Sequence, residues 1–93
     1  MKITPKNILL HELIGLQVEV LSSRNPSHVG IRGTVIDETM KTLIIETEKG
    51  RKIIEKKVAT FLFKLPSGVK VKVEGKYLVG RPEDRLKRRL KYW

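Results

Sequence analysis

The chain alternates between two hydrophobic periods. Ile8, Leu9 and Leu13 recur at helical spacing after Thr4-Pro5, where Thr4 suits an N-cap and Pro5 the first helical position. Gly15 is the expected stop, so the pattern predicts a short helix that serves as a lid or a docking face. From Leu16 the period becomes two. Leu16-Gln17-Val18-Glu19-Val20-Leu21 reads as a strand, followed by a long exposed loop of turn formers, Ser22-Ser23-Arg24-Asn25-Pro26-Ser27-His28. A β-branched run punctuated by Gly30 and Gly33 then leads through Asp37-Glu38-Thr39 into Lys41-Thr42-Leu43-Ile44-Ile45, the pattern of a tight hairpin. Glycine within a strand permits a sharp bend or the close approach of another backbone.

Gly50 suits a reversal, after which residues 51–64 form one bent strand or two. Leu65-Pro66-Ser67-Gly68 turns the chain, and residues 69–74 alternate strictly, predicting valines to the core and charges to solvent. Tyr77-Leu78-Val79 is expected to add a last short strand. Five to seven short antiparallel strands at this spacing predict a closed or nearly closed barrel. At the C-terminal end, Pro82, Glu83 and Asp84 followed by cations give a helix start that complements the helix dipole. Leu86, Leu90 and Trp93 form one stripe of that helix, and Arg85, Arg88 and Arg89 another. The expected organisation is one domain over 1–93, with an N-terminal helix in 1–15, a barrel in 16–80 and a basic helix in 81–93.

Charge decides which partners fit this scaffold. Twenty Lys and Arg face ten Asp and Glu over 93 residues, a formal charge of +10, and the excess persists from end to end. A field of that sign attracts polyanions, with nucleic acid first among them. Absent cysteine excludes disulfides, thiolate metal sites and a cysteine nucleophile. No apolar signal core or membrane span is evident, so a cytoplasmic location is expected. Abundant Lys and Glu with one Gln and no Cys resembles the composition of heat-adapted proteins.

Catalytic chemistry is scarce. His11 and His28 have no ligand spacing around them, and no metal site is expected. Asp37 and Glu38, as strand neighbours, point to opposite faces, so a turn role outweighs a carboxylate pair. No phosphate-binding glycine loop or nucleophile elbow is present. Two Phe, two Tyr and one Trp are too few to stack many unpaired bases, which favours a folded RNA contacted through phosphates, sugars and shape.

Gly33-Thr34-Val35-Ile36-Asp37-Glu38-Thr39 with Lys41-Thr42-Leu43, the Leu16 strand with its Asn-containing loop, and Gly80-Arg81-Pro82-Glu83-Asp84-Arg85 together resemble archaeal ribonuclease P protein component 1, over nearly the whole chain. The resemblance implies a mainly β fold: a small Sm-like (Src-homology-3-like) antiparallel barrel of about six strands with short terminal helices. It also implies a non-catalytic subunit of the ribonucleoprotein that removes 5′ leaders from precursor tRNA. Hydrolysis would belong to the RNA with its magnesium ions, this chain would bind no cofactor, and partners would include a zinc-ribbon protein subunit and other ribonuclease P proteins. On this reading Arg81, Arg85, Arg88 and Arg89 contact RNA from the C-terminal motif, Arg24, Asn25 and His28 from the long loop, and Lys6, Arg32 and Lys41 from the remaining surface. Ile8, Leu9 and Leu13 either dock the protein partner or pack on their own barrel. The competing readings are a ribosomal or translation-associated small-barrel protein and an autonomous nuclease.

Overall fold

The computed structural model describes residue 8 and residues 12–81. The expected helices over 1–15 and 81–93 fall mostly outside the described residues. Within them the fold is mainly β, with six antiparallel strands: β1 (Gln17–Ser23), β2 (Arg32–Glu38), β3 (Thr42–Thr47), β4 (Gly50–Glu55), β5 (Ala59–Lys64) and β6 (Lys70–Glu74). They form a single sheet in the order β4-β3-β2-β1-β5-β6.

Alternation sorts the strand residues by face. Val18 and Val20 of β1, Val35 of β2, Leu43 and Ile45 of β3, Ile54 of β4, and Phe61 and Phe63 of β5 all point inward and are buried. Full burial of such side chains contributes roughly 1.5–3 kcal/mol each. Phe61 and Phe63 pack tilted at a centroid distance of 5.9 Å. Leu13 and Leu16 before β1, Leu65 between β5 and β6, and Leu78 after β6 close the core, and Ile8 joins them. Ile8 and Leu13 pack on their own barrel, 2% and 0% exposed. Leu9 lies outside the described residues.

Two bulges curl the sheet. The β1–β5 register shifts between Val20 and Ser22, which turns Leu21 outward, and the β2–β3 register shifts between Val35 and Asp37. Gly33 lies under the backbone of β3: a Cβ there would collide with the Glu46 carbonyl. The glycine of the hairpin is therefore required by close approach rather than by a positive φ.

The sheet curls into a barrel that remains open between its edge strands β4 and β6. The turns after these strands meet across the gap. Residues Lys56–Val58 form a 3₁₀ turn, as do Gly75–Leu78, and Gly75 sits so close to the Lys56 and Ala59 carbonyls that no side chain fits. This close packing replaces the expected final strand at 77–79: the chain coils, burying Leu78 and leaving Tyr77 55% exposed. Residues 51–64 are two strands rather than one bent strand, divided by the Lys56–Val58 turn.

Candidate nucleic-acid interface

The β2–β3 turn is held by its threonines. Thr39 and Thr42 exchange hydroxyl contacts at 2.6 Å, Thr42 N donates to Thr39 Oγ1 at 3.0 Å, and Thr39 N donates to the Thr42 carbonyl at 3.0 Å. Asp37 Oδ1 accepts from the Glu38 amide at 2.8 Å, the local turn role expected of it. Glu38 differs. It is the last residue of β2, directed inward, and its Oε2 accepts from Lys56 Nζ at 2.7 Å.

Lys56 is fully buried and is the hub of this end of the molecule. Its ammonium also donates to the carbonyls of Thr39 at 2.8 Å and Gly80 at 2.9 Å. Its amide donates to the Lys41 carbonyl at 2.8 Å, while Gly80 N donates to the Met40 carbonyl at 2.7 Å. Charged and carbonyl acceptors together compensate an ammonium taken out of water. The result is that the β2–β3 turn, the Lys56–Val58 turn and the chain leading to Arg81 are tied at one point.

The same hub assembles a basic edge. Arg24 N donates to the Val58 carbonyl at 3.0 Å, which brings the β1–β2 loop to the far side of the Lys56–Val58 turn. Arg24, Lys57, Lys41 and Arg81 are all exposed along this edge. Lys57 is not among the cations expected to bind; only its phase relative to inward-facing Ile54 separates it from Lys56 in the local sequence, and the fold sends one inward and the other out.

In the loop, Asn25 caps the 3₁₀ turn Pro26–His28: its Oδ1 accepts from Ser27 N at 3.1 Å and Ser27 Oγ at 2.7 Å. Its Nδ2 lies 3.4 Å from His28 Nε2. Asn25 thus shapes the loop that carries Arg24, and His28 is half-buried beside it. Lys6, Arg85, Arg88 and Arg89 lie outside the described residues.

Arg32 is not part of this edge. It lines an open groove of about 780 Å³, together with Lys64, Lys70 and, from the β3–β4 hairpin, Lys49 and Lys52. Lys64 and Lys70 are directly opposite each other on β5 and β6. The alternation of residues 69–74 puts Lys70 and Lys72 on one face, but their meeting with Lys64 depends on strand pairing that no local pattern reveals. Lys76 is differently placed: the Glu74 carboxylate, hydrogen-bonded and 3.4 Å away, raises its ammonium pKa and offsets its charge. It also stands 5.1 Å from the Tyr77 ring centre. Among the described residues no cluster of three His, Cys, Asp or Glu is placed to hold a metal ion, and no helix is long and apolar enough to cross a membrane.

Six antiparallel strands curled into a small, open, Sm-like barrel, with a basic edge gathered around Lys56, define the class of fold. A sequence model of the family described as Ribonuclease P/MRP, subunit p29, matches residues 6–88, and the chain belongs to this family. It is similar to ribonuclease P protein component 1 of Methanocaldococcus jannaschii, with 57% identity over 96% of this chain and 94% of that one. It is also similar to the same component of Thermofilum pendens, with 55% identity over 100% of both. Among solved structures, Mth11, described as a homologue of human RNase P protein Rpp29, matches with a TM-score of 0.60 at 45% identity, covering 81% of this chain and 97% of its own. The chain is accordingly a protein subunit of ribonuclease P, and nothing in these similarities favours the ribosomal alternative.

Proposed function

We propose that this chain serves ribonuclease P by holding folded RNA rather than by performing hydrolysis. Arg24, Lys41, Lys57 and Arg81 neutralise phosphates of the ribonuclease P RNA, and the loop around Asn25 and His28 fixes the position of Arg24. The observation that carries this reading is the Lys56 hub, which fixes the exit of the chain at Gly80 beside the exposed Lys41. Cations held on a rigid frame lose less entropy on meeting a folded polyanion.

On this reading Arg85, Arg88, Arg89 and Lys6 also contact the RNA. Magnesium resides on the RNA subunit, where precursor tRNA is cleaved, and the chain itself carries no cofactor. Its protein neighbours include a zinc-ribbon subunit, and it works in the cytoplasm. Cross-linking the chain in cell extract and sequencing the bound RNA tests the proposal. Recovery of ribonuclease P RNA is the expected result; ribosomal RNA alone, or cleavage of RNA by the purified chain, would overturn it.

A further inference from the structure

The outer face of the sheet is built at a cost that the basic edge does not explain. Lys64 and Lys70 are direct cross-strand partners, and Lys72 lies two residues along β6 on the same face. Like charges placed opposite each other destabilise a sheet. All three are exposed, and among the described residues none of them takes part in an ion pair. A fold that keeps three lysines together in this way leaves a site for an anion.

The opposite lip of the same groove is also basic. Arg32 of β2 lies three strands from Lys70 in the order β2-β1-β5-β6, about 14 Å at the usual strand spacing. Lys49 from the β3–β4 hairpin reinforces that lip. Between the lips the floor mixes apolar side chains, Ile31 and Leu62 among them, with acceptors: Gln17 pairs with both Lys64 and Thr34, Glu19 pairs with Arg32, and Glu46 pairs with Thr34. Carboxylates in the floor repel phosphate and accept hydrogen bonds from hydroxyl and amino groups. No aromatic side chain lines the groove among the described residues, so it offers no platform for stacking unpaired bases.

Two basic lips flanking an acceptor-bearing floor match one shape of nucleic acid. A-form RNA presents a wide, shallow minor groove bordered by two phosphate strands and floored by 2′-hydroxyls and base edges. We propose that this face binds double-stranded RNA across its minor groove, with Lys64 and Lys70 on one phosphate strand, Lys72 beside them on the same face, and Arg32 and Lys49 on the other. Gln17, Thr34, Glu19 and Glu46 meet the 2′-hydroxyls and base edges between them. The inference deepens the RNA-holding role proposed above and rests on it, but assigns a second surface and a helical substrate.

The test uses the full chain with an RNA duplex of about 16 base pairs, a DNA duplex of the same sequence and a single-stranded RNA. The paired variants Lys64→Ala with Lys70→Ala, and Arg32→Ala with Lys49→Ala, should each weaken RNA-duplex binding by about tenfold or more and make its salt dependence shallower by about 0.9 log unit per log unit of salt for each phosphate no longer neutralised. Single-strand binding should be unaffected, and the DNA duplex should bind more weakly than the RNA duplex. Thermal stability should not fall in the first variant, which removes a like-charge pair. Unchanged duplex binding, equal losses on duplex DNA or single strands, or a loss confined to binding an acidic protein would overturn the proposal. Recovery of ribonuclease P RNA from extract separates the two readings. If both groove variants still bind the duplex normally while the chain recovers that RNA, the groove assignment falls and the subunit role stands. If the intact chain binds the duplex through the groove but never recovers ribonuclease P RNA, the reverse holds.

Discussion

Lys56 Nζ donates to Glu38 Oε2 at 2.7 Å with both side chains out of reach of solvent, an ion pair spanning 18 residues of sequence. A buried pair of this kind gains little over an apolar pair of the same shape, because both charges lose their hydration. Its contribution here is positional. The Lys56 donors left over after Glu38 reach carbonyls on the β2–β3 turn and on Gly80, so the pair determines where the chain leaves the barrel.

Removing one partner should therefore be costly in a way that removing both is not. Lys56→Met strands the Glu38 carboxylate and Glu38→Gln weakens the acceptor of a buried ammonium; the first should cost about 3–5 kcal/mol. Urea unfolding followed by circular dichroism reads the loss. The double replacement Lys56→Met with Glu38→Leu should recover much of it. A double variant no more stable than Lys56→Met alone would show that the carbonyl contacts, rather than the stranded charge, dominate.

Gly33→Ala probes the bend of the hairpin. Its new methyl would meet the Glu46 carbonyl, a backbone atom of the neighbouring strand that moves only if β2 and β3 separate. Overpacking of this kind typically costs about 1–3 kcal/mol, and a clash with backbone belongs at the upper end. The change should appear as a lower denaturation midpoint with faster amide exchange in β2 and β3. A neutral result would mean that the two strands are not in this register.

Much of the scaffold was legible because strand alternation is local. Val18 and Val20, Leu43 and Ile45, and Phe61 and Phe63 declare their inward face two residues at a time, and the Leu65 to Gly68 turn closes as its composition predicts, with Gly68 N on the Leu65 carbonyl at 2.8 Å. Alternation also sorts the edge strand: Val73 is buried and Val71 packs half-buried against the core because β6 has a neighbour on one side alone, whereas Val69 precedes the strand at 47% exposure. The Glu38–Lys56 pair, by contrast, was hidden. A lysine buries only when acceptors distant in sequence converge on it, and the sole local trace is that Lys56 stands two residues after inward-facing Ile54. Of the candidate site, Arg24, Lys41 and Arg81 were legible as cations, but their common edge was not, since backbone bonds through Lys56 and Val58 bring them together.

Asn25 should act through the loop's shape. Losing its carbonyl cap on Ser27 removes a side-chain acceptor from the 3₁₀ turn, and such caps are worth about 0.5–2 kcal/mol. Asn25→Ala should speed amide exchange at Ser27 and His28, while Asn25→Asp, which keeps the acceptor, should preserve protection. If Asn25→Asp loosens the loop as much as Asn25→Ala, the contact with His28 is the one that matters.

The basic edge makes a prediction that separates presented cations from neutralised ones. Lys41, Lys57 and Arg81 stand exposed around the Lys56 hub, whereas the charge of Lys76 is offset by Glu74 on the same surface strand end. Replacing Lys41, Lys57 and Arg81 together with alanine should weaken binding to ribonuclease P RNA and reduce the slope of log affinity against log salt by about 0.7–0.9 for each phosphate left without its cation. Lys76→Ala should alter neither quantity appreciably. Because the edge and the groove share no residues, their effects should add when the triple variant is combined with Lys64→Ala and Lys70→Ala. The same measurement on Arg85, Arg88 and Arg89 replaced with alanine asks whether the segment beyond Gly80 continues the surface: a further drop in slope would extend it, and an unchanged slope would end the interface at Arg81.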